Sequence, residues 1–157
     1  MTKLVSIIIP TYKRPGMLAR AIDSCLSQTY KNIEIIVIDD RSTDNTAQVV
    51  NDLATKHANV IAFIRDKDAF PGKSAVLNDA LAFAKGEAIL VFDADATMEP
   101  DFLTNLVYEL EPKDVGAVQA RKIVRNKDVN ILTRCQNNEM TMDTHFQVGR
   151  DSVKGAV

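Results

Sequence analysis

The 157-residue chain has too few cysteines to rest on disulfides. Cys25 and Cys135 stand far apart, with no CxxC and no neighbouring histidine pair. That spacing argues against a disulfide scaffold or a structural zinc site, and for a reduced, cytoplasmic setting. Positive charge is not in excess either. Nineteen Lys+Arg face twenty-one Asp+Glu, a net charge of −2, whereas a nucleic-acid binder normally presents a basic face. No apolar run approaches the roughly 18 residues of a membrane span, and the opening MTKLVSIIIP is short for a signal segment. The six glycines never fall two apart, so the GxGxxG turn that brings backbone against a pyrophosphate is missing, which excludes a nicotinamide-dinucleotide enzyme. Repeats and low-complexity linkers are absent.

What remains is ordinary globular material, 46% hydrophobic and 25% charged. A chain of this length can bury roughly 70% of its unfolded surface. Short β-branched runs at Leu4–Pro10, Ile33–Asp39, Val60–Ile64, Ala88–Asp93 and Val115–Gln119 read as strands, several apolar throughout, as in strands covered on both faces. Helical segments are expected between them at Pro15–Gln28, Asp44–His57, Lys73–Lys85 and Glu99–Leu110. Pro15 suits a first helical turn, Ser42 or Thr43 is a candidate cap for the second helix with Asp44 near its positive end, and Gly86 fits a left-handed stop after Lys85. Strand–helix–strand alternation predicts an α/β fold with a mostly parallel sheet and right-handed crossovers.

In such a sheet the ligand lies beyond the carboxyl ends of the strands. Those ends carry Pro10-Thr11-Tyr12, Asp39-Asp40 and Asp93-Ala94-Asp95. One strand-end Asp is usually a turn former. Several on one edge, with no basic partner evident, predict a cation site. Oxygen ligands without His or Cys favour magnesium or manganese, ions that commonly bridge to phosphates. Gly72-Lys73-Ser74 has part of a phosphate-loop pattern, but Lys67 stands where its first glycine belongs, and Phe70 and Pro71 stiffen the loop. FDADAT (Phe92–Thr97) matches DxDxT, the nucleophile motif of haloacid-dehalogenase-like phosphatases, in which the first Asp attacks phosphorus. Here it follows three strand–helix units, and neither a poised lysine nor a downstream acidic pair is evident; phosphatase is an alternative.

VSIIIPTYKRPGMLARAIDSCLSQTYKNIEIIVIDDRSTDNT resembles the opening of family-2 glycosyltransferases of the GT-A fold, and FPGKSAVLNDALAFAKGEAILVFDADATMEPDFL resembles their middle segment with its DxD motif. The resemblance runs nearly continuously from residue 3 to about 120. It implies a Rossmann-like sheet binding a nucleotide-diphospho-sugar, usually a UDP-sugar, with Mn2+ or Mg2+ at the DxD. Pro10, Thr11 and Tyr12 match the loop against nucleobase and ribose, followed by Arg14. Asp40 matches the acid that reads the uracil edge; its neighbour Asp39 either joins it or caps the following turn. Lys73 matches a basic residue near the pyrophosphate, and Asn78 lies about a helical turn further on or faces the sheet. Asp93 and Asp95 match the DxD as metal ligands, Asp93 also in reach of ribose, with Ala94 between them at the nucleotide. Strand alternation would point both acids to one side.

An inverting transfer needs a general base. In the family it is an acid well beyond the DxD, often in Glu-Asp or Thr-Glu-Asp, and polymer-making members add QxxRW; neither appears here, so no base is assigned. Glu99 and Asp101 read as helix-start acids. Arg121, Lys122, Arg125 and Lys127 form a basic stretch that reads as a solvated face, ahead of a weakly amphipathic segment at Val129–Val148. Residues 1–120 are therefore expected to form a nucleotide-sugar-binding half-domain, and 121–157 to lead toward an acceptor-binding part that is missing. The implied partners are a UDP-sugar and a carbohydrate or lipid-linked acceptor, with membrane association, if any, arising from that missing part at the inner face. A non-catalytic UDP-sugar-binding module is a further alternative.

Overall fold

Four parallel strands form one sheet in the computed structural model, which describes residues 2–112 and 114–152. They are β1 (Val5–Thr11), β2 (Ile33–Asp39), β3 (Val60–Ile64) and β4 (Ala88–Val91), in the order β3-β2-β1-β4. Helices α1 (Pro15–Leu26), α2 (Thr46–Lys56), α3 (Lys73–Leu81) and α4 (Phe102–Glu109) alternate with or follow them, and α5 (Ile131–Ser152) comes last. The α/β class and parallel sheet are as the sequence predicts. The chain divides into two units, Met1–Pro112 and Lys113–Val157.

The apolar runs become strands because both faces of the sheet are covered. Val5, Ile7 and Ile9 of β1 and Ile33, Ile35 and Val37 of β2 pack with Leu18, Ile22 and Cys25 of α1, Val50 of α2 and Leu103 of α4. The alternate residues Ile8, Ile36 and Ile38 pack with Val76 and Ala80 of α3. All seven residues of β2 are buried, which is why its sequence shows no polar alternation. Each fully buried Ile or Leu contributes about 1.5–3 kcal/mol. Register then aligns the strand ends: Thr11 lies opposite Asp39, and Asp39 opposite Ile64.

Several local expectations need correction. Pro15 does open α1. At α2, however, neither Ser42 nor Thr43 is the cap; Asp44 Oδ1 accepts the Thr46 N–H at 3.1 Å and its hydroxyl at 2.6 Å. Helix α3 ends at Leu81, four residues before Lys85. The N–H groups of Lys85 and Gly86 are claimed by Glu34 (2.6 Å) and Ser6 Oγ (2.8 Å), which pull the chain onto the sheet. Gly86 is therefore needed for close approach, since a Cβ there would lie 2.6 Å from the Ser6 nitrogen, and it does not adopt the left-handed region. Val115–Gln119 forms no strand: its backbone is irregular and its side chains are largely exposed. A β-branched run becomes a strand only when a neighbour pairs with it and covers it. Strand β4 stops at Val91, so Asp93–Asp95 lie in a turn, where the Ala96 N–H donates to the Asp93 carbonyl. Strand alternation thus does not orient the two acids. In the second unit, Asn130 and Thr133 cap α5 reciprocally, each side-chain oxygen accepting the other's backbone N–H.

Candidate functional site

The strand order leaves a crevice at the carboxyl edge between β1 and β4, where successive crossovers diverge. The turns after β1, β2, β3 and β4 and the start of α3 meet around it. Two non-glycine residues there adopt left-handed backbone, Lys13 (φ 51°) and Arg41 (φ 64°), and Gly72, just before α3, has φ 111°. Non-glycine residues enter this region at a cost of about 1–2 kcal/mol, so the surrounding bonds must hold them. For Lys13 the bond is its N–H to Ser42 Oγ, at 2.8 Å. For Arg41 they are its guanidinium bonds to Asp40 (3.1 Å) and to the Ala69 carbonyl (3.1 Å).

Asp39 and Asp40 take different places. Asp39 is buried and its carboxylate accepts the backbone N–H and hydroxyl of Ser42. Burial raises its pKa, against the bonds from Ser42 that lower it, with Asp44 and Asp40 adding to the rise. Asp40 reaches the edge with its carboxylate divided between three donors: Arg65 at 2.7 Å, Arg41 at 3.1 Å and the Gly72 N–H at 3.2 Å. Its partial burial alone would raise the pKa, but the Gly72, Arg65 and Arg41 donors outweigh it and the pKa is lowered. Asp40 is thus held as an anion, able only to accept hydrogen bonds.

Across the crevice each DxD acid has a cation. Lys73 Nζ meets Asp93 Oδ1 at 2.6 Å, and the Arg14 guanidinium bonds Asp95. The sequence-based expectation of an acidic cluster without basic partners is therefore wrong, because folding brings cations from α3 and from the β1–α1 turn onto the same edge. Among the described residues no three His, Cys, Asp or Glu side chains gather as a ready metal cage. Asp93 and Asp95 still offer hard carboxylate oxygens, and Mg2+-like ions are commonly held by one or two carboxylates plus substrate phosphates. The donor set fits such an ion in company with a diphosphate.

The remaining predicted residues fall around this frame. Pro10 is half-buried in β1. Thr11 is buried, and its hydroxyl has no hydrogen-bond partner among the described residues. Tyr12 is 51% exposed, with Lys13 Nζ 5.1 Å from its ring centre. Ala94 is buried. Asn78 is exposed on α3, so it does not face the sheet. An open groove of about 420 Å³, lined by Lys13, Arg14, Pro15, Gly16, Met17 and Arg20, adjoins the Arg14 side. Sequence reasoning missed Arg65, whose side chain is only 3% exposed and which ties Asp40, Asp79 (2.7 Å) and the Phe70 carbonyl (2.9 Å) together. The available signal was position: Arg65 directly follows β3 and so lands on the same edge.

The sequence profile described as Glycosyl transferase family 2 matches residues 6–155. The chain belongs to that family. Beta-monoglucosyldiacylglycerol synthase of Nostoc sp. is 35% identical over 96% of the chain and 33% of its own length, and an uncharacterised glycosyltransferase of Haemophilus influenzae is 32% identical over 96% of the chain and 64% of its own length. The structure is similar to that of the mannosyltransferase PcManGT from Pyrobaculum calidifontis in complex with GDP-Man and Mn2+, with a TM-score of 0.71, 32% identity, and coverage of 82% of this chain and 37% of that one. It also resembles S. aureus TarS 1–349 in complex with UDP-GlcNAc (TM-score 0.60, 25% identity, 75% of this chain and 38% of that one). The chain spans about a third of the length of the Nostoc synthase. Family membership and fold disfavour the phosphatase alternative. Among the described residues no helix is long and apolar enough to cross a membrane.

Proposed function

We propose that this family-2 chain carries the donor site of a metal-dependent glycosyltransferase, taking a sugar from a UDP-sugar to an acceptor hydroxyl. The observation that supports it most is the convergence of Asp40, Lys73, Asp93 and Asp95 on one sheet edge. Asp40, kept ionised, accepts an N–H from the base; Tyr12 offers an exposed ring beside it; Lys73 attracts the diphosphate. Asp93 and Asp95 would hold Mn2+ or Mg2+, which supplies positive charge where the departing diphosphate gains negative charge. The acceptor is a carbohydrate or a lipid-linked molecule, a reading supported by the monoglucosyldiacylglycerol in the name of the Nostoc relative. Its general base is not assigned to any residue of this chain.

Titration calorimetry of the 157-residue chain tests the donor site. UDP binds several-fold more tightly with Mn2+ than with a chelator present, and more tightly than GDP does. Equal UDP affinity in both conditions would remove the metal from the proposal, and a preference for GDP would remove the uracil assignment.

A further inference from the structure

Lys73 and Arg14 occupy positions that helix energetics disfavours. Lys73 is the first residue of α3 and Arg14 the N-cap of α1. Positive charge there opposes the partial positive charge of the helix N-terminus. Neither helix has an acid in its first turn to compensate. Both cations instead take their counter-charge from the DxD turn, Lys73 from Asp93 and Arg14 from Asp95. Two N-termini and two cations thus converge on a pair of carboxylates. Such an arrangement suits anions, and phosphate groups most of all.

Resting on the donor-site proposal, we infer that the two ion pairs form an exchangeable lock, in which the DxD carboxylates stand in for a diphosphate on Lys73 and Arg14 until a metal ion and a nucleoside diphosphate arrive together. A metal alone must displace two cations from its ligands. A diphosphate alone must draw those cations away from the two carboxylates. When both bind, metal replaces cation on the acids and phosphate replaces acid on the cations, so the cost of opening the pairs is met once. The lock couples the two ligands, and the coupling is reciprocal. Both pairs are open to solvent, with side-chain exposures of 57% and 32% for Lys73 and Asp93 and 53% and 49% for Arg14 and Asp95, so exchange needs no rearrangement of the core. Arg14 also borders the open groove at the start of α1, which gives an anion access to it.

The test measures Mn2+ binding by the paramagnetic signal of the free ion, and UDP binding by calorimetry, for the parent chain, Lys73→Ala, Arg14→Ala and Lys73→Arg. An exposed ion pair is worth a factor of about 1.5 to 5. Each alanine variant should therefore bind Mn2+ alone by about that factor more tightly, yet bind UDP at saturating Mn2+ more weakly, with Lys73→Arg close to the parent in both. A residue that merely supports the fold would weaken both ligands. Unchanged or weaker Mn2+ binding by both alanine variants overturns the lock. Failure of the parent chain to bind UDP under any condition counts against the donor site instead, and the Mn2+ comparison still decides the lock.

Discussion

Asp39 and Asp40 are adjacent in sequence yet shifted in opposite directions. The residue in the strand points into the covered layer, loses water and holds its proton more tightly; the next, at the edge, meets Arg65, Arg41 and the Gly72 N–H and holds its proton less tightly. The two oppose each other in the pH dependence of stability. For Asp40 the folded pKa lies below the unfolded one, so its contribution is present above the ordinary value of 3.8 and is lost as pH falls through the folded pKa. For Asp39 the folded pKa lies above 3.8. Between the two values the folded state binds more protons than the unfolded state, so stability falls as pH rises through that window and is then flat. Asp39→Asn removes the second effect and retains an oxygen for the Ser42 N–H. Urea unfolding from about pH 4 to 7 should show the variant gaining on the parent as pH rises and then holding level. A pH-independent difference would mean that Asp39 titrates at its ordinary value. Burial also pushes the Cys25 thiol up to about 12, so this cysteine acts as a small apolar core residue of α1.

At the scale of elements, two glycines illustrate different constraints. Gly86 sits where β4 is about to join β1, its missing Cβ giving way to the Ser6 nitrogen and the Leu4 carbonyl at 2.6 and 2.7 Å. Both obstacles are backbone and cannot swing aside. Gly86→Ala should therefore destabilise by about 1–3 kcal/mol, the usual cost of overpacking. Gly16, in the first turn of α1, has open space where an alanine methyl would sit, with no atom within 4 Å. Gly16→Ala should stabilise by about 0.5–1 kcal/mol, through reduced freedom of the unfolded chain and better helix propensity. Thermal or urea unfolding of both variants reads the contrast. Equal effects would show that the approach of Gly86 to β1 is looser than these distances imply. The end of helix α3 follows from the same contacts: Glu34 and Ser6 capture the two N–H groups that would have continued toward β4 in helical form.

Across the whole molecule, the sheet and its helices lie in the unit Met1–Pro112, while the other unit contains α5. Arg121, Lys122, Arg125 and Lys127 are exposed on irregular backbone within that second unit, ahead of α5. Exposed irregular segments are preferred sites of proteolytic nicking. Brief trypsin treatment should cut first within residues 121–127 and leave an N-terminal fragment that keeps the sheet and its cooperative unfolding. Early cleavage at Arg65, or loss of cooperativity after the first cut, would show that the sheet depends on the rest of the chain.

Much of the fold was legible because its signals are local. The run Ile33–Asp39, apolar at five of its seven positions, carries the local signature of a two-sided buried strand, and β3 and the start of α1 follow from similar short-range chemistry. The acids of the site were legible too, since strand ends on a parallel sheet share an edge. Their partners were not. Arg14 lies 81 residues from Asp95 and Lys73 lies 20 from Asp93, so no periodicity or turn pattern relates them. Arg65 was hidden for the same reason, as was the failure of Val115–Gln119 to become a strand, which depends on whether another strand pairs with it. By itself the sequence determined the α/β alternation and which residues would line the edge, through the spacing of apolar side chains. The tertiary structure alone decided which charges face each other across that edge, because ion pairing depends on distance in space and is indifferent to distance along the chain.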